Sequence, residues 1–109
     1  MATDSTQYIV VLVTCPPDRA EMLARTVVEE RLAGCVNILG GVRSIYFWQG
    51  EMCDDGEALL VMKTQLARFE QLRARVVALH PYEVPEVIAL PLLAGHAPYL
   101  QWLAQSTQP

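Results

Sequence analysis

The chain has 109 residues, which fits one domain over 1–109, with 52% apolar and 18% charged residues and a net charge of −4. Its eight Lys and Arg are scattered and form no patch, which argues against a nucleic-acid partner. No apolar run nears the roughly 18 residues of a membrane span, residues 1–6 lack the basic and apolar regions of a signal peptide, and three widely spaced cysteines form no disulfide framework, so a reduced, cytoplasmic setting without membrane insertion is expected.

Residues 1–6 read as a short polar tail. Residues 8–13 are nearly all β-branched and read as a buried central strand, which Cys15-Pro16-Pro17 stops. Asp18 reads as the N-cap of a helix, with Glu21 in the capping-box position. Ala20, Leu23, Ala24, Val27, Val28 and Leu32 then share one helical face, and Gly34 reads as the left-handed stop. Residues 35–39 form a short apolar run that Gly40-Gly41 breaks or bulges.

The longest feature is a hairpin over residues 42–64. Its centre carries Gly50, Asp54, Asp55 and Gly56, all turn formers, and Cys53 falls in the loop. In the first arm Arg43, Ile45, Phe47 and Gln49 point one way, and Val42, Ser44, Tyr46 and Trp48 the other. Arms of about eight to nine residues exceed the usual five to six. Such a ribbon overhangs a small domain, and with large apolar groups on both faces it calls for cover by a second copy of the chain.

A second amphipathic helix follows, with Phe69, Leu72, Val76 and Leu79 inward and Arg68, Arg73 and Arg75 off that line. His80-Pro81 ends it. Residues 84–90, bracketed by Pro85 and Pro91, read as an edge strand. Pro98 opens a short last helix carrying Tyr99, Leu100, Trp102 and Leu103, and 105–109 reads as a tail, so the ordered part spans about 7–104. The order β-α-β-β-α-β plus a terminal helix is an α+β, ferredoxin-like split β-α-β plan. Right-handed crossovers put both long helices on one sheet face. The other face then needs cover from further copies, most simply in a closed ring.

The densest polar cluster is His80-Pro81-Tyr82-Glu83-Val84-Pro85-Glu86. His80 there is either a metal ligand or the end of a helix. Cys15, before a helix N-terminus, is either an exposed thiol of lowered pKa or a small buried hydrophobe. Cys35 reads as packed, and Asp54-Asp55 as a solvated turn. C-x2-C, H-E-x-x-H, a phosphate loop and hydrolase signatures are all absent, so a metal site would gather distant residues. A thiolate and imidazole set would suit copper or zinc better than magnesium. Tyr46, Trp48, Lys63 and Tyr82 either line a cleft or pack at an interface.

The strings V-E-E-R-L-A-G-C-V-N-I, G-V-R-S-I-Y-F-W-Q-G and H-P-Y-E-V-P-E-V-I-A-L-P resemble the CutA divalent-cation tolerance family over about residues 8–103. The resemblance implies a ferredoxin-like homotrimer, similar in plan to PII signalling proteins, a role in tolerance to divalent metals with copper the usual suggestion, and no established enzymatic activity. His80 matches the family's histidine before Pro-Tyr, while Leu79 stands where some members carry a second histidine. Val13 stands where some carry a cysteine, with Cys15 two residues on, and Glu86 matches the Pro-Glu step. The implied metal set is therefore His80, helped by Glu86 and Cys15. The alternative is a PII-like module whose inter-subunit clefts, lined by Tyr46, Trp48, Lys63 and Tyr82, bind a small ligand or partner protein. An enzyme with Cys15 as nucleophile and His80 as base ranks third.

Overall fold

The β-branched run Tyr8–Cys15 forms β1, an inner strand of a four-stranded antiparallel sheet of order β2-β3-β1-β4. The structure, a computed structural model, describes residues 7–109, so the readings for 1–6 lie outside the described residues. The other elements are α1 (Ala20–Glu29), β2 (Cys35–Trp48), β3 (Glu51–Gln65), α2 (Phe69–Leu79), β4 (Val87–Pro91) and α3 (Ala97–Ser106). This is the expected α+β ferredoxin-like order with an added C-terminal helix. Among the described residues no helix is long and apolar enough to cross a membrane.

Alternation decides what each strand buries. Ile9, Val11, Val13 and Cys15 of β1, with Ala58, Leu60 and Met62 of β3, pack against Ala20, Leu23 and Val27 of α1 and Leu72 and Val76 of α2. Both long helices therefore lie on one face. The opposite face holds Val10 and Leu12, Leu59 and Val61, Leu39, and Ile88 and Leu90, matched across the ladders. Ile88 and Leu90 remain 49% and 53% exposed. α3 reaches this face at Gln65, whose Nε2 donates to the Ala104 carbonyl and to Thr107.

Several boundaries differ from expectation. Asp18 lies in a 3-10 turn, Pro17–Arg19, and α1 starts after it without a side-chain cap. Glu21 instead pairs with Arg25 at 2.8 Å. The left-handed residue after α1 is Arg31 (φ 59°), not Gly34. Gly34 is needed for closeness: a Cβ there would stand 2.6 Å from Leu103 Cδ1. Arg68, read as lying off the core line, is buried; it hydrogen-bonds Gln71 and points Nε at the Arg31 carbonyl, 3.4 Å away. β4 begins at Val87, so Pro85 falls before it, and β4 pairs only with β1, as an edge. α3 continues to Ser106, and the fully buried Thr107 donates to the Leu103 carbonyl, so the ordered chain runs beyond 104.

The ribbon is longer than expected. β2 and β3 pair from Cys35 with Lys63 out to Trp48 with Glu51, whereas β1 pairs only with Ala58–Gln65. Seven rungs therefore stand clear of the sheet, about 23 Å at 3.3 Å per residue. The turn is Gln49-Gly50, with φ of 52° and 79°, a two-residue loop that needs positive φ twice. Cys53, Asp54, Asp55 and Gly56 thus lie in β3 rather than in a turn. Asp54 accepts two bonds from Arg43 at 2.8 and 2.7 Å, and Asp55 accepts one from Tyr46. Gly40-Gly41 forms the expected bulge, a register shift between Leu39 and Val42.

Candidate functional site

α2 stops at His80 because Pro81 forces its predecessor into extended backbone (ψ 138°). Pairing of β1 with β4 ends at Val13 and Val87, and His80 Nε2 meets the next carbonyl, that of Thr14, at 2.7 Å. His80 Nδ1 accepts the Tyr82 N–H at 3.1 Å, which leaves the ring proton on Nε2 as donor to Thr14. Both nitrogens are thereby used, in a side chain only 7% exposed.

That corner delivers Tyr82. Its ring lies 4.7 Å from that of His80, and its hydroxyl donates to Glu57 Oε2 at 2.9 Å. Burial, and then the Glu57 carboxylate, push the Tyr82 phenol up to about 12. The bond to Asp55 likewise raises the Tyr46 phenol above its ordinary value. Between the free ribbon and residues 82–86 lies a cleft of ≈ 510 Å³. Tyr46 and Trp48 form the ribbon wall, Tyr82, Glu83 and Glu86 the opposite wall, and Thr14 and Glu57 the floor. No Lys or Arg lines it.

The structure thus brings together Tyr46, Trp48, Tyr82 and Glu86 of the sequence candidates and leaves Lys63 apart. Lys63 lies six positions along β3 from Glu57 and hydrogen-bonds Asn37 Oδ1. Cys15 is fully buried on the helix side. Burial first, then Glu57 and Asp18, push its thiol pKa up, the reverse of an activated cysteine. The reason is local: α1 begins at Ala20, five residues on, and the sulfur is packed into the apolar core, where Glu57 and Asp18 add negative charge. A copper ion needs deprotonated sulfur and a free imidazole nitrogen. Cys15 and His80 offer neither in this conformation, and among the described residues no three His, Cys, Asp or Glu side chains converge on a metal position. Glu57 and Thr14 were missed. The one available signal was a carboxylate leading an apolar run, E-A-L-L-V-M, where a charge must find a partner.

Comparison with known proteins agrees with this architecture. The family model described as CutA1 divalent ion tolerance protein matches residues 9–106. The divalent-cation tolerance protein CutA of Thermus thermophilus is 52% identical over 99 residues, covering 90% of this chain and 96% of its own. Human protein CutA is 50% identical over 97 residues, 88% of this chain but 54% of the longer human protein. The solved Thermus thermophilus structure superposes with a TM-score of 0.90 at 51% identity, over 93% of this chain and 99% of its own. The PII-like protein CutA from Nostoc superposes at 0.87 with 36% identity, over 92% and 97%. With family and fold matched along nearly the whole length at about half the positions identical, the chain belongs to the CutA1 divalent ion tolerance family.

Proposed function

We propose that this protein acts in divalent-cation tolerance as a cytoplasmic homotrimer, by binding rather than by catalysis. The observation that carries the assembly is the apolar sheet face left bare beside a ribbon that no other strand among the described residues supports. Three copies in a closed ring bury both features without leaving an open edge. Binding rather than turnover is supported by Cys15, whose buried thiol is held protonated, and by His80, whose nitrogens are engaged away from it.

Cations are drawn by the cleft. Glu57, Glu83 and Glu86 line it without a balancing base, and Glu83 and Glu86 stand exposed at its mouth as oxygen ligands. Oxygen ligands favour hard divalent cations, so copper through His80 requires the 80–86 corner to release Thr14 first. Calorimetric titration of Mn2+ and Cu2+ into wild type, His80→Ala and Glu83→Gln/Glu86→Gln tests this. The expected outcome is a severalfold loss of affinity in the double glutamine variant and none in His80→Ala. A tenfold loss of copper affinity confined to His80→Ala would return the site to the imidazole.

A second reading is favoured by the aromatic walls: the cleft as the small-ligand site of a PII-like module. Tyr46, Trp48 and Tyr82 give it the apolar surface that small-molecule pockets share.

A further inference from the structure

Arg68 is a buried cation without a counter-ion. Arg25, Arg43, Arg73 and Arg75 are more exposed, and each pairs with a carboxylate. Arg68 is 8% exposed and, among the described residues, pairs with none. A guanidinium carries five N–H donors. Here Nη1 donates to Gln71 Oε1, and Nε points at the Arg31 carbonyl across 3.4 Å, beyond the usual hydrogen-bond range. Nη2 has no partner among the described residues, yet no fully occluded side-chain nitrogen lacks one, so Nη2 opens to the surface that Arg68 lines. The end of α1 beside it offers only roughly half a negative charge, which leaves the guanidinium in excess. A buried cation of this kind calls for an anionic acceptor.

That surface is a shallow groove of ≈ 480 Å³ between the end of α1 and the outer side of α2. Arg68 and Leu32, both buried, form its floor, and the exposed Gln71, Ala74 and Ala78 form its α2 side. Both helices lie on the sheet face opposite the bare one. A ring closed through the bare face and the ribbon therefore leaves this groove in solvent.

Charge selects the kind of anion. Arg75 also lines the groove, but Glu30 accepts from its Nε and Nη2 at 2.9 and 2.8 Å. Two guanidiniums against one carboxylate leave a single positive charge, that of Arg68. A dianion would exceed that charge and face Glu30, whereas a carboxylate balances it and matches the planar guanidinium edge.

We propose that this groove binds a small organic carboxylate, whose oxygen accepts from Arg68 Nη2 while its apolar body lies on Leu32, Ala74 and Ala78. The inference is independent of metal binding and of the cleft on the opposite face.

The test is titration of the 15N-labelled full chain with 3-phenylpropanoate, and separately with uncharged 3-phenylpropanamide and with inorganic phosphate, at constant ionic strength, read by amide NMR shifts. The acid is expected to move the signals of 30–32 and 68–78 saturably, the amide to bind at least tenfold more weakly, and phosphate more weakly than the acid. Equal binding of acid and amide, tighter binding of phosphate, or shifts confined to other regions overturns the proposal. Gln71→Glu, at an exposed position, gives Arg68 a carboxylate of its own and should lower the acid's affinity at least tenfold. Arg68→Gln removes the cation and should abolish saturable binding. Retained affinity in either variant overturns the assignment, and should Arg68→Gln fail to fold, Gln71→Glu decides alone.

Discussion

Tyr82 joins the corner that ends α2 to the floor of the cleft: its backbone N–H donates to His80 Nδ1, and its hydroxyl, which must stay protonated to do so, donates to Glu57. Its native pKa of about 12 lies above the ordinary value of 10.0. Between about pH 10 and 12 the unfolded chain therefore releases this proton first. The contribution to stability is complete below pH 10 and is lost as pH rises toward 12. Tyr82→Phe leaves Glu57 buried without its donor and should cost about 1–3 kcal/mol at pH 7. It should also flatten the alkaline loss. Urea unfolding at pH 7 and at pH 11 checks both, and wild-type stability in the variant at pH 7 would show that the Tyr82–Glu57 bond contributes nothing. At this scale the sequence was legible for Tyr46, Trp48, Tyr82 and Glu86, which are large or clustered. It was silent on Glu57, because the partner that explains a buried charge lies 25 residues away, and it left Cys15 open between an exposed thiol and a buried hydrophobe, which alternation within β1, not the next helix, decides for burial.

At the scale of elements, periodic faces were legible and termini were not. The inward stripes of both long helices follow from spacing, and Leu23, Val27, Leu72 and Val76 are all buried, whereas Val28, read on the same face as Val27, is 40% exposed. Start and stop signals competed with one another. Pro16-Pro17 begins a 3-10 turn that pre-empts Asp18 as a cap, and Arg31 takes the left-handed position three residues before the glycine that seemed made for it. Asp54-Asp55-Gly56 has turn composition, yet cross-strand bonds to Arg43 and Tyr46 hold it extended, while Gln49-Gly50 makes the turn. Gly34 is released from the role of helix stop for another, the seating of α3. Gly34→Ala sets a methyl 2.6 Å from Leu103, which is fully buried and has little room to move. A loss of about 1–3 kcal/mol is expected, with faster hydrogen exchange in α3. An unchanged melting temperature would mean that α3 is not seated there.

The whole molecule measures 50 × 25 × 23 Å, with a radius of gyration of 14.7 Å, against about 13 Å for a typical domain of this size. The excess is the ribbon. Its overhang was legible from arm length and two-sided apolarity, and the fold bears it out with seven unsupported rungs. Within one chain the bare sheet face is solvent-exposed, so a charge placed there should leave folding intact and act on assembly. Ile88→Glu, at a position 49% exposed on β4, tests the proposed trimer. Wild type should sediment at three times the 12.1 kDa chain mass, and the variant at once that mass with an unchanged circular dichroism spectrum. A wild type that runs as a single chain at micromolar concentration would remove the case for association.

The bulge at Gly40-Gly41 sets two residues of β2 against Ala58 alone. Before it, odd-numbered β2 residues share the helix-free face with Leu59 and Val61; after it, even-numbered ones do, beginning with Val42 opposite Glu57. The chain thus changes parity in mid-strand, and which aromatics share the face of the buried carboxylate is settled by a count. Substitutions that keep the length leave Tyr46 and Trp48 on that face, whereas the loss of one residue would turn the ribbon over and put Ile45 and Phe47 there instead.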